Sequence, residues 1–327
     1  MKRRHVLSTL AIGALGASQV ARAQLFGTSD RTVRIVVGFP PGGSTDSIAR
    51  IIAPHMERAL KSTVLVENKP GAGARIANMQ VKGAKPDGNT LLLTSSSLMA
   101  IYPRVYKNLQ YDPLKDFVPV TSVVNMEIGY AASTAAAPNV KTLQDYVQWV
   151  KTNPANGNYG SVGTGSILHF LGFLLARSGG VRLNQIPFNG GAPQMQALNG
   201  GQIPFGIDIL GGIVPHLGSG RVRLLATSGT ERSVQGVPTA REAGFDELTV
   251  EDYNGLFYPA ETPTEFVQQI QSAVKGALQQ ASVQESLRQL TFKPSGVETA
   301  QFAQRVRSDL QKWRKVVEDS GFKQLDS

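Results

Sequence analysis

The chain has 327 residues and carries 33 Lys and Arg against 24 Asp and Glu, a formal charge of +9. It contains no cysteine, which excludes disulfides, thiolate metal sites, thiol nucleophiles and a lipid-modified N-terminal cysteine. No block of five or six like charges occurs. The positive excess therefore indicates a soluble protein and not a surface that binds nucleic acid. We therefore expect no nucleic-acid partner.

The N-terminus has the layout of an export signal. Lys2, Arg3 and Arg4 precede an apolar run from Val6 to Val20, which is shorter than the ~20 residues that span a bilayer as a helix. Small residues before Gln24 predict cleavage after Ala23. Cleavage removes four basic and no acidic residues, which leaves 304 residues with a charge of +5 in the periplasm. The paired arginines partly resemble a twin-arginine signal, so the Sec and twin-arginine routes both stay open.

The next part of the chain alternates strand and helix patterns. Strands are predicted at 32–39, 63–68 and 89–96, and helices at 47–60 and from about Ala74. This order predicts a parallel-rich sheet with helices on both faces, an α/β fold.

A second alternating set follows, and three amphipathic helices without strands of their own end the chain. About 304 residues are near the limit of one hydrophobic core. We therefore expect two lobes, one of 24–125 plus 251–327 and one of 126–250. Two crossovers between lobes make a hinge, which suits a cleft that closes around a ligand.

The turn PPGGSTD joins the first strand to the first helix. Gly42 and Gly43 let the backbone bend sharply, and Ser44 or Thr45 stands where a helix N-cap belongs. Free N–H groups at a helix start favour an anion. A plain capped connection would have the same pattern.

The second set contains a similar turn in NYGSVGTGSILHF, residues 158–170. Glycines and hydroxyl residues alternate in it: Gly160, Ser161, Gly163, Thr164, Gly165 and Ser166. His169 falls in the first turn of the next helix, where its ring can approach a bound group, although a buried structural histidine is the alternative. Such turns lie at the carboxyl ends of strands, where ligands collect. If the lobes face each other, both turns meet in the cleft.

Two further positions are candidates. Ser96 lies in TSSS, residues 94–97, at the end of a predicted strand. Asp208 ends another predicted strand and either faces the cleft or caps the helix after Gly211. The capping role is the favoured one for Asp208.

Signatures of enzymes are missing from the sequence. It has no G-x-S-x-G elbow, phosphate-binding loop, dinucleotide fingerprint or H-E-x-x-H pair. We therefore expect no enzyme, no cofactor and no metal. An exported hydrolase with Ser166 as nucleophile and His169 as base is the alternative, but no orienting acid can be identified.

Nine stretches resemble the periplasmic solute-binding proteins of tripartite tricarboxylate transporters, also called Bug receptors. They include VGFPPGGSTDSIAR, VENKPGAGARIAN, NYGSVGTGSILHFLG and NGGAPQMQALNGGQIPFGID, and they run in the family's order along almost all of the mature chain. The resemblance implies two lobes of the type II periplasmic-binding class. It also implies a carboxylate held in the cleft by backbone amides, hydroxyls and water from two loops, here Pro41 to Asp46 and Ser161 to His169.

The candidate ligand-binding residues are Phe39, Pro41, Gly43, Ser44, Thr45, Asp46, Ser96, Ser161, Thr164, Gly165, Ser166, His169 and Asp208. Asp46 orients its loop or accepts a donor from the ligand, and the first role is favoured because a free carboxylate would repel an anion.

The sequence departs from the family at two places. Ala74 and Ala77 stand where a further glycine is frequent, and Phe188-Asn189-Gly190 stands where aromatic-Lys-Gly is common. The second change removes a cation, so aromatic carboxylates join di- and tricarboxylates as candidate ligands.

The predicted function is a monomeric receptor that delivers a small organic carboxylate to integral membrane transporter subunits. A ligand-sensing receptor with a signalling partner is the alternative within the same class.

Overall fold

The computed structural model describes residues 31–326, so the predicted export signal lies outside the described residues. The strands are β1 Thr32–Val37, β2 Thr63–Asn68, β3 Thr90–Ser95, β4 Phe117–Met126, β5 Ile128–Ser133, β6 Asn158–Val162, β7 Asn184–Phe188, β8 Phe205–Ile209, β9 Val222–Thr227, β10 Asp252–Pro259 and β11 Phe292–Pro294. The helices are α1 Ser44–Leu60, α2 Arg75–Lys82, α3 Tyr102–Val105, α4 Leu143–Thr152, α5 Ile167–Gly179, α6 Gly191–Asn199, α7 Leu210–Ile213, α8 Thr264–Leu278, α9 Ala281–Gln289 and α10 Thr299–Asp319. A π-helical turn, Ser97–Ile101, precedes α3.

The strands form two mixed sheets. The first has the order β11-β4-β10-β3-β1-β2, and the second β7-β6-β8-β5-β9. Strands β2 and β3 pair in parallel with β1, and β7 and β8 pair in parallel with β6. Strands β10 and β5 run antiparallel to their neighbours. The predicted α/β class with two helix-covered sheets is confirmed. Strands β5 and β10 are each the first strand after the chain passes from one sheet to the other.

Strand β1 is buried on both faces because helices cover both sides of the first sheet. Val33, Ile35 and Val37 pack with α1 and α8, whereas Val36 packs with α2 and α10. Successive side chains of a strand point to opposite faces. The second half of the strand, Ile35 to Val37, is therefore a continuous β-branched run buried on both faces, whereas Arg34 is exposed.

Two adjacent crossovers connect the sheets. The chain leaves the first sheet between β4 and β5 and returns to it between β9 and β10. Ser228 joins the two crossings, since its Oγ accepts from the Ile128 N–H at 2.9 Å and donates to the Val250 carbonyl at 2.5 Å. Met126 ends β4 of the first sheet, so for the described residues we propose that 31–126 plus 251–326 form one lobe and 127–250 the other, one residue from the predicted boundary at 125.

Helix α10 packs on both sheets. Phe302 and Val306 lie in a cluster with residues of β1, β3 and β10. Further along the helix, Trp313, Val316 and Val317 join a cluster with α5 and strands of the second sheet. The helix therefore packs against both sheets and connects their hydrophobic clusters.

The expectation that the last helices bring no strand is wrong. The short strand β11 lies between α9 and α10 and pairs antiparallel with β4. It has only three residues, one of them a proline, so it shows no alternation that a sequence pattern could detect. None of the helices in residues 31–326 is long and apolar enough to cross a membrane.

Two alanines after β2 adopt a backbone conformation that favours glycine. Ala72 has φ +47° and Ala74 has φ +72°, in the left-handed region that costs a residue with a Cβ atom roughly 1–2 kcal/mol. Ala74 is one of the two positions where the resembling family often has glycine, and its side chain is buried. Ala72 is exposed, so a substitution there loses no packing.

We expect Ala72→Gly to raise the free energy of unfolding by about 0.5 kcal/mol. The relieved backbone strain exceeds the extra entropy that glycine adds to the unfolded chain. The same change at Ala300, which is exposed on α10, should lower stability by about 0.5–1 kcal/mol. Urea denaturation of both variants measures the contrast, and equal effects at the two positions would contradict it.

Candidate functional site

The first loop, residues 38–43, carries the chain from β1 to α1. Gly42 has φ +83°, which glycine adopts at no steric cost. Gly43 is the N-cap of α1 and provides no side-chain cap. The expectation that Ser44 or Thr45 caps this helix is wrong, because both lie inside its first turn. The first N–H groups of α1 have no intrahelical partner and remain available to an anion.

Asp46 holds the first loop against α1 and β2 through hydrogen bonds. Its carboxylate accepts hydrogen bonds from the Gly42 N–H at 2.8 Å, Arg50 Nε at 2.9 Å and Asn68 Nδ2 at 2.9 Å. Burial alone would raise the pKa of Asp46, but these three donors outweigh it and hold the pKa below its usual value. The contacts favour the loop-orienting role over direct contact with a ligand.

The other first-loop candidates differ in exposure. Thr45 is buried, and its hydroxyl donates to Asn254 Oδ1 on β10 at 3.0 Å. Pro41 and Ser44 are exposed. Phe39 is half-buried and packs against core clusters of both sheets. Thr45 therefore supports the helix start, whereas Ser44 and Pro41 remain free to contact a ligand.

The second loop, residues 163–166, carries the chain from β6 to α5. Gly163 has φ +73° and Gly165 has φ +77°. A Cβ atom on Gly165 would lie 2.6 Å from Val105 Cγ1 of α3. Ser166 caps α5, since its Oγ accepts from the His169 N–H at 3.3 Å and donates to the Val162 carbonyl at 2.7 Å. The loop is thus folded against its own helix and against α3.

His169 supports the second loop through its ring. The Gly165 N–H donates to Nδ1 at 3.0 Å, and the ring packs on Phe170 and Phe322 at centroid distances of 5.0 and 5.4 Å. Burial lowers the pKa of His169 to about 4. The imidazole is therefore neutral at pH 7, and a neutral ring that accepts at Nδ1 carries its proton on Nε2.

Ser161 and Thr164 share a partner that sequence reasoning missed. Gln185 of β7 donates from Nε2 to Ser161 Oγ at 2.8 Å and to the Gly163 carbonyl at 3.3 Å. Thr164 Oγ1 donates to Gln185 Oε1 at 3.5 Å. Only the parallel pairing of β6 with β7 brings Gln185 to this loop.

The serines after β3 have separate roles. Ser96 Oγ donates to Asp252 Oδ1 at 2.5 Å in a buried pair, so its hydroxyl is engaged by the protein. Ser97, which no sequence pattern singled out, lies next to Ser96. Its Oγ accepts from the Ile167 N–H, the first of α5, at 3.2 Å. Ser97 therefore links the edge of the first sheet to the second loop.

Ser166 and His169 do not form a nucleophile and base. Ser166 Oγ contacts the backbone N–H of His169 and nearby carbonyls, whereas the ring of His169 bonds the Gly165 N–H. A hydroxyl nucleophile requires a hydrogen bond to the base itself. Within residues 31–326, no group of three or more His, Asp or Glu side chains is placed to hold a metal ion.

Asp208 is the penultimate residue of β8, which pairs in parallel with the strand that precedes the second loop. The favoured capping role is wrong, because α7 begins at Leu210 with Ile209 as N-cap and no side-chain cap. Asp208 Oδ1 accepts from the Ile209 N–H at 2.8 Å, and Oδ2 is buried without a hydrogen-bond partner among the described residues. Burial raises the pKa of Asp208 to about 7.

The family follows from comparison with known sequences. A model described as the tripartite tricarboxylate transporter family receptor matches residues 48–322. The chain belongs to this family. The resemblance seen in the nine sequence stretches is thereby confirmed.

Individual relatives span nearly the whole chain. The UPF0065 protein in the gbd 5'region of Cupriavidus necator is 33% identical over 329 residues, 98% of each chain. MatC of Rhodopseudomonas palustris, solved with bound malate, is 34% identical with a TM-score of 0.78, over 88% of this chain and 99% of MatC. Rpa4515 of the same organism, solved with adipate, is 28% identical with a TM-score of 0.82, over 90% and 99%. The two-lobed receptor fold is shared with both structures.

His169 should make stability fall in mild acid. Its folded pKa of about 4 lies below the ~6.5 of an unfolded histidine, so the unfolded state binds the proton first. This contribution is therefore present above about pH 6.5 and is lost as the pH falls toward 4. Chemical denaturation of wild type and His169→Gln from pH 7 to 4 should show the steeper loss in the wild type. Parallel curves would contradict the assignment.

Asp208 should lower stability at neutral pH. Its folded pKa of about 7 exceeds the ~3.9 of an unfolded aspartate, so the unfolded state loses the proton first as pH rises and stability falls from about pH 4 to 7. We expect ligand-free Asp208→Asn to be more stable than wild type by about 1–3 kcal/mol at pH 8. The difference should vanish near pH 4, and a destabilised variant at pH 8 would contradict the prediction.

Proposed function

We propose that the protein is a periplasmic receptor that binds a small organic carboxylate between its two sheets and delivers it to a tripartite tricarboxylate-type membrane transporter. The observation that carries the proposal is the pair of glycine-rich loops at helix starts, one from each sheet, with a hydrogen bond between Ile167, which follows the second loop, and Ser97, which follows β3. Family membership supports the receptor role. Malate in MatC and adipate in Rpa4515 support a carboxylate ligand.

Strand pairing supports a site in which the two loops face each other. Val37 of β1 pairs in parallel with Leu93 of β3, so the first loop and Ser97 leave the same edge of the first sheet. Ile167 follows the second loop directly, and its N–H bonds Ser97. The loop-bearing edges of the two sheets therefore meet, as ligand sites in open α/β sheets require.

The donors available at these loops are uncharged. They are the N–H groups of the first turn of α1 and Nε2–H of His169, with the exposed hydroxyl of Ser44 beside them. The positive end of a helix dipole stabilises an anion without a full counter-charge. A ligand held from both lobes favours the closed state by its differential contacts and can be released on opening.

Both loops lie in one chain, which supports a monomeric receptor. The export-signal layout of the N-terminus supports a periplasmic location. A ligand-sensing receptor would use the same site and differ only in its partner, and no contact of the described residues favours it. The hydrolase alternative lacks the required pairing of Ser166 with the ring of His169, so we propose that the protein is not an enzyme.

A thermal-shift panel of di-, tri- and aromatic carboxylates tests the proposal. A ligand at ~100 times its Kd should add about 2.7 kcal/mol of stability. Gly42→Ala should reduce this gain, because the left-handed φ of Gly42 costs alanine roughly 1–2 kcal/mol and therefore favours loop conformations other than the one that binds. Gly276→Ala, where a Cβ atom on α8 meets nothing within 4 Å, is the matched control.

Two outcomes count against the proposal in different ways. No shift with any carboxylate, or turnover of an ester substrate, would refute the receptor function. An unchanged shift in Gly42→Ala would refute the assignment of the first loop while leaving the receptor function in place. Uptake of the bound carboxylate by cells with and without the protein tests delivery to a transporter.

A further inference from the structure

We propose that a basic groove on the lobe that contains the first sheet is the surface by which the receptor docks on an acidic segment of its membrane transporter. The inference rests on the proposed function, because it names the chemistry of the partner that receives the ligand. It depends on the shape and charge of the groove, on two arginines without ion pairs and on the contact of one groove wall with the second loop.

The groove has a volume of about 760 Å³ and is formed by three parts of this lobe. They are the end of α2, residues 103–116 between α3 and β4, and α10. The α10 wall is a single helix face, because Arg307, Leu310 and Arg314 are spaced three and four residues apart. The surface is therefore a recess that can receive a segment of another chain.

The groove carries more positive than negative charge. Five Lys and Arg side chains and two Asp side chains line it, which leaves a formal excess of three positive charges. Three of the cations already pair with a carboxylate, at 3.0, 2.7 and 2.9 Å: Lys82 with Asp116, Lys107 with Asp326 and Arg314 with Glu318. A net positive surface of this kind attracts an anionic partner and raises the rate of association.

Arg104 and Arg307 are the two remaining cations of the groove. Neither guanidinium forms an ion pair or a hydrogen bond within residues 31–326. Arg307 is exposed and Arg104 is half-buried. A guanidinium is a planar fork that binds a carboxylate through two parallel hydrogen bonds. The two arginines are therefore suited to Asp or Glu side chains of a partner.

An exposed leucine adds an apolar contact to the groove. Leu114 is 51% exposed in a turn held by Asp112, whose Oδ1 accepts from the Leu114 N–H at 2.9 Å and the Lys115 N–H at 3.2 Å. Lys82 Nζ on α2 donates to the Gln110 carbonyl before this turn at 2.7 Å. An ordered turn loses little conformational freedom on binding. The partner segment should therefore carry an apolar side chain among its carboxylates.

One wall of the groove contacts the other lobe. Arg104 belongs to α3, and the next residue, Val105, packs against the second loop, where a Cβ atom on Gly165 would lie 2.6 Å from Val105 Cγ1. Helix α10, another wall, packs on both sheets. A partner in the groove therefore contacts two elements that link the lobes, which suits a transporter that must distinguish a closed receptor from an open one.

An acidic protein segment matches this surface more closely than a lipid surface does. Anionic headgroups form a flat layer that binds clusters of Lys and Arg, whereas the cations here line a recess together with two carboxylates and Leu114. Arginine and aromatic side chains are enriched where proteins bind each other, and Tyr106 lies in the groove with the arginines. The occupant is therefore assigned as a protein segment with both Asp or Glu and apolar residues.

Charge reversal tests the groove in intact cells. The probe is whichever of malate, citrate and 4-hydroxybenzoate gives the largest thermal shift, in radiolabelled form. We expect the double variant Arg104→Glu, Arg307→Glu to lower receptor-dependent uptake of the probe by roughly tenfold or more, because both substitutions replace attraction with repulsion. Its thermal shift with the probe should be unchanged, since neither residue lies in the two ligand loops.

A matched control makes the same change of charge away from the groove. Lys141 and Arg182 are exposed residues of the other lobe, and Lys141→Glu, Arg182→Glu should keep uptake within about twofold of the wild type. Leu114→Glu is a second groove variant that keeps both arginines and loses no buried packing, and it should also lower uptake. Circular dichroism establishes that each variant is folded, and either groove variant alone suffices for the test.

Photo-crosslinking identifies the occupant of the groove. The photoreactive residue p-benzoylphenylalanine replaces Leu114 in one variant and Leu65 in another. Leu65 is 48% exposed on β2 and lies outside the groove, so it is the matched control. We expect the Leu114 position to form an adduct in cells with an integral membrane transporter subunit, through a segment that contains Asp or Glu, and the Leu65 position to form none.

The outcomes separate this inference from the proposed function. If no carboxylate binds, or if uptake does not depend on the receptor, the proposed function and the inference fail together. If the wild type delivers the probe but a folded groove variant delivers it equally well, or loses its thermal shift together with uptake, the receptor function stands and the docking surface is overturned. An adduct of the Leu114 position with lipid, or with a segment without acidic residues, overturns it as well.

Discussion

The hydrogen bond from the Ile167 N–H to Ser97 Oγ is the contact on which the arrangement of the proposed cleft depends. Ser97 leaves the edge of the first sheet that also carries the first loop, because β1 and β3 pair in parallel. Ile167 leaves the edge of the second sheet that carries the second loop and Asp208, because β6 and β8 pair in parallel. Together with the two crossovers and α10, this bond supports the proposed arrangement, in which two loops from distant parts of the sequence lie opposite each other.

Charge is largely kept out of the proposed ligand position. The carboxylate of Asp46 is satisfied by three donors of its own lobe, and burial keeps His169 neutral. A buried ion pair with the ligand would require desolvation of two charges, which is costly. Binding through backbone N–H groups avoids that cost on the protein side, and it suits a receptor that must release its ligand as well as capture it.

Two less stable features lie near the loop-bearing edges of the sheets. Asp208 has a buried oxygen without a partner among the described residues. Ala74, in a left-handed conformation, lies so close to Gly38 of the first loop that a Cβ atom on Gly38 would be 2.5 Å from the Ala74 Cβ. Strained or unsatisfied groups persist only where the surrounding structure holds them, and they concentrate at functional sites. The rest of the fold, with its two helix-covered sheets, supplies the stability that permits them.

The sequence by itself determined the helices, most strands, the two glycine-rich turns and the family, because each is encoded locally by hydrophobic period, turn residues or contiguous motifs. It did not determine which hydroxyls are free. Thr45 and Ser96 are engaged by Asn254 and Asp252, partners 209 and 156 residues away, and no local pattern specifies such pairs. Tertiary structure also decided that Gln185 supports the second loop and that Asp208 is buried instead of capping a helix. In each case the deciding partner is brought in by strand register or helix position, which arise only when distant segments pack.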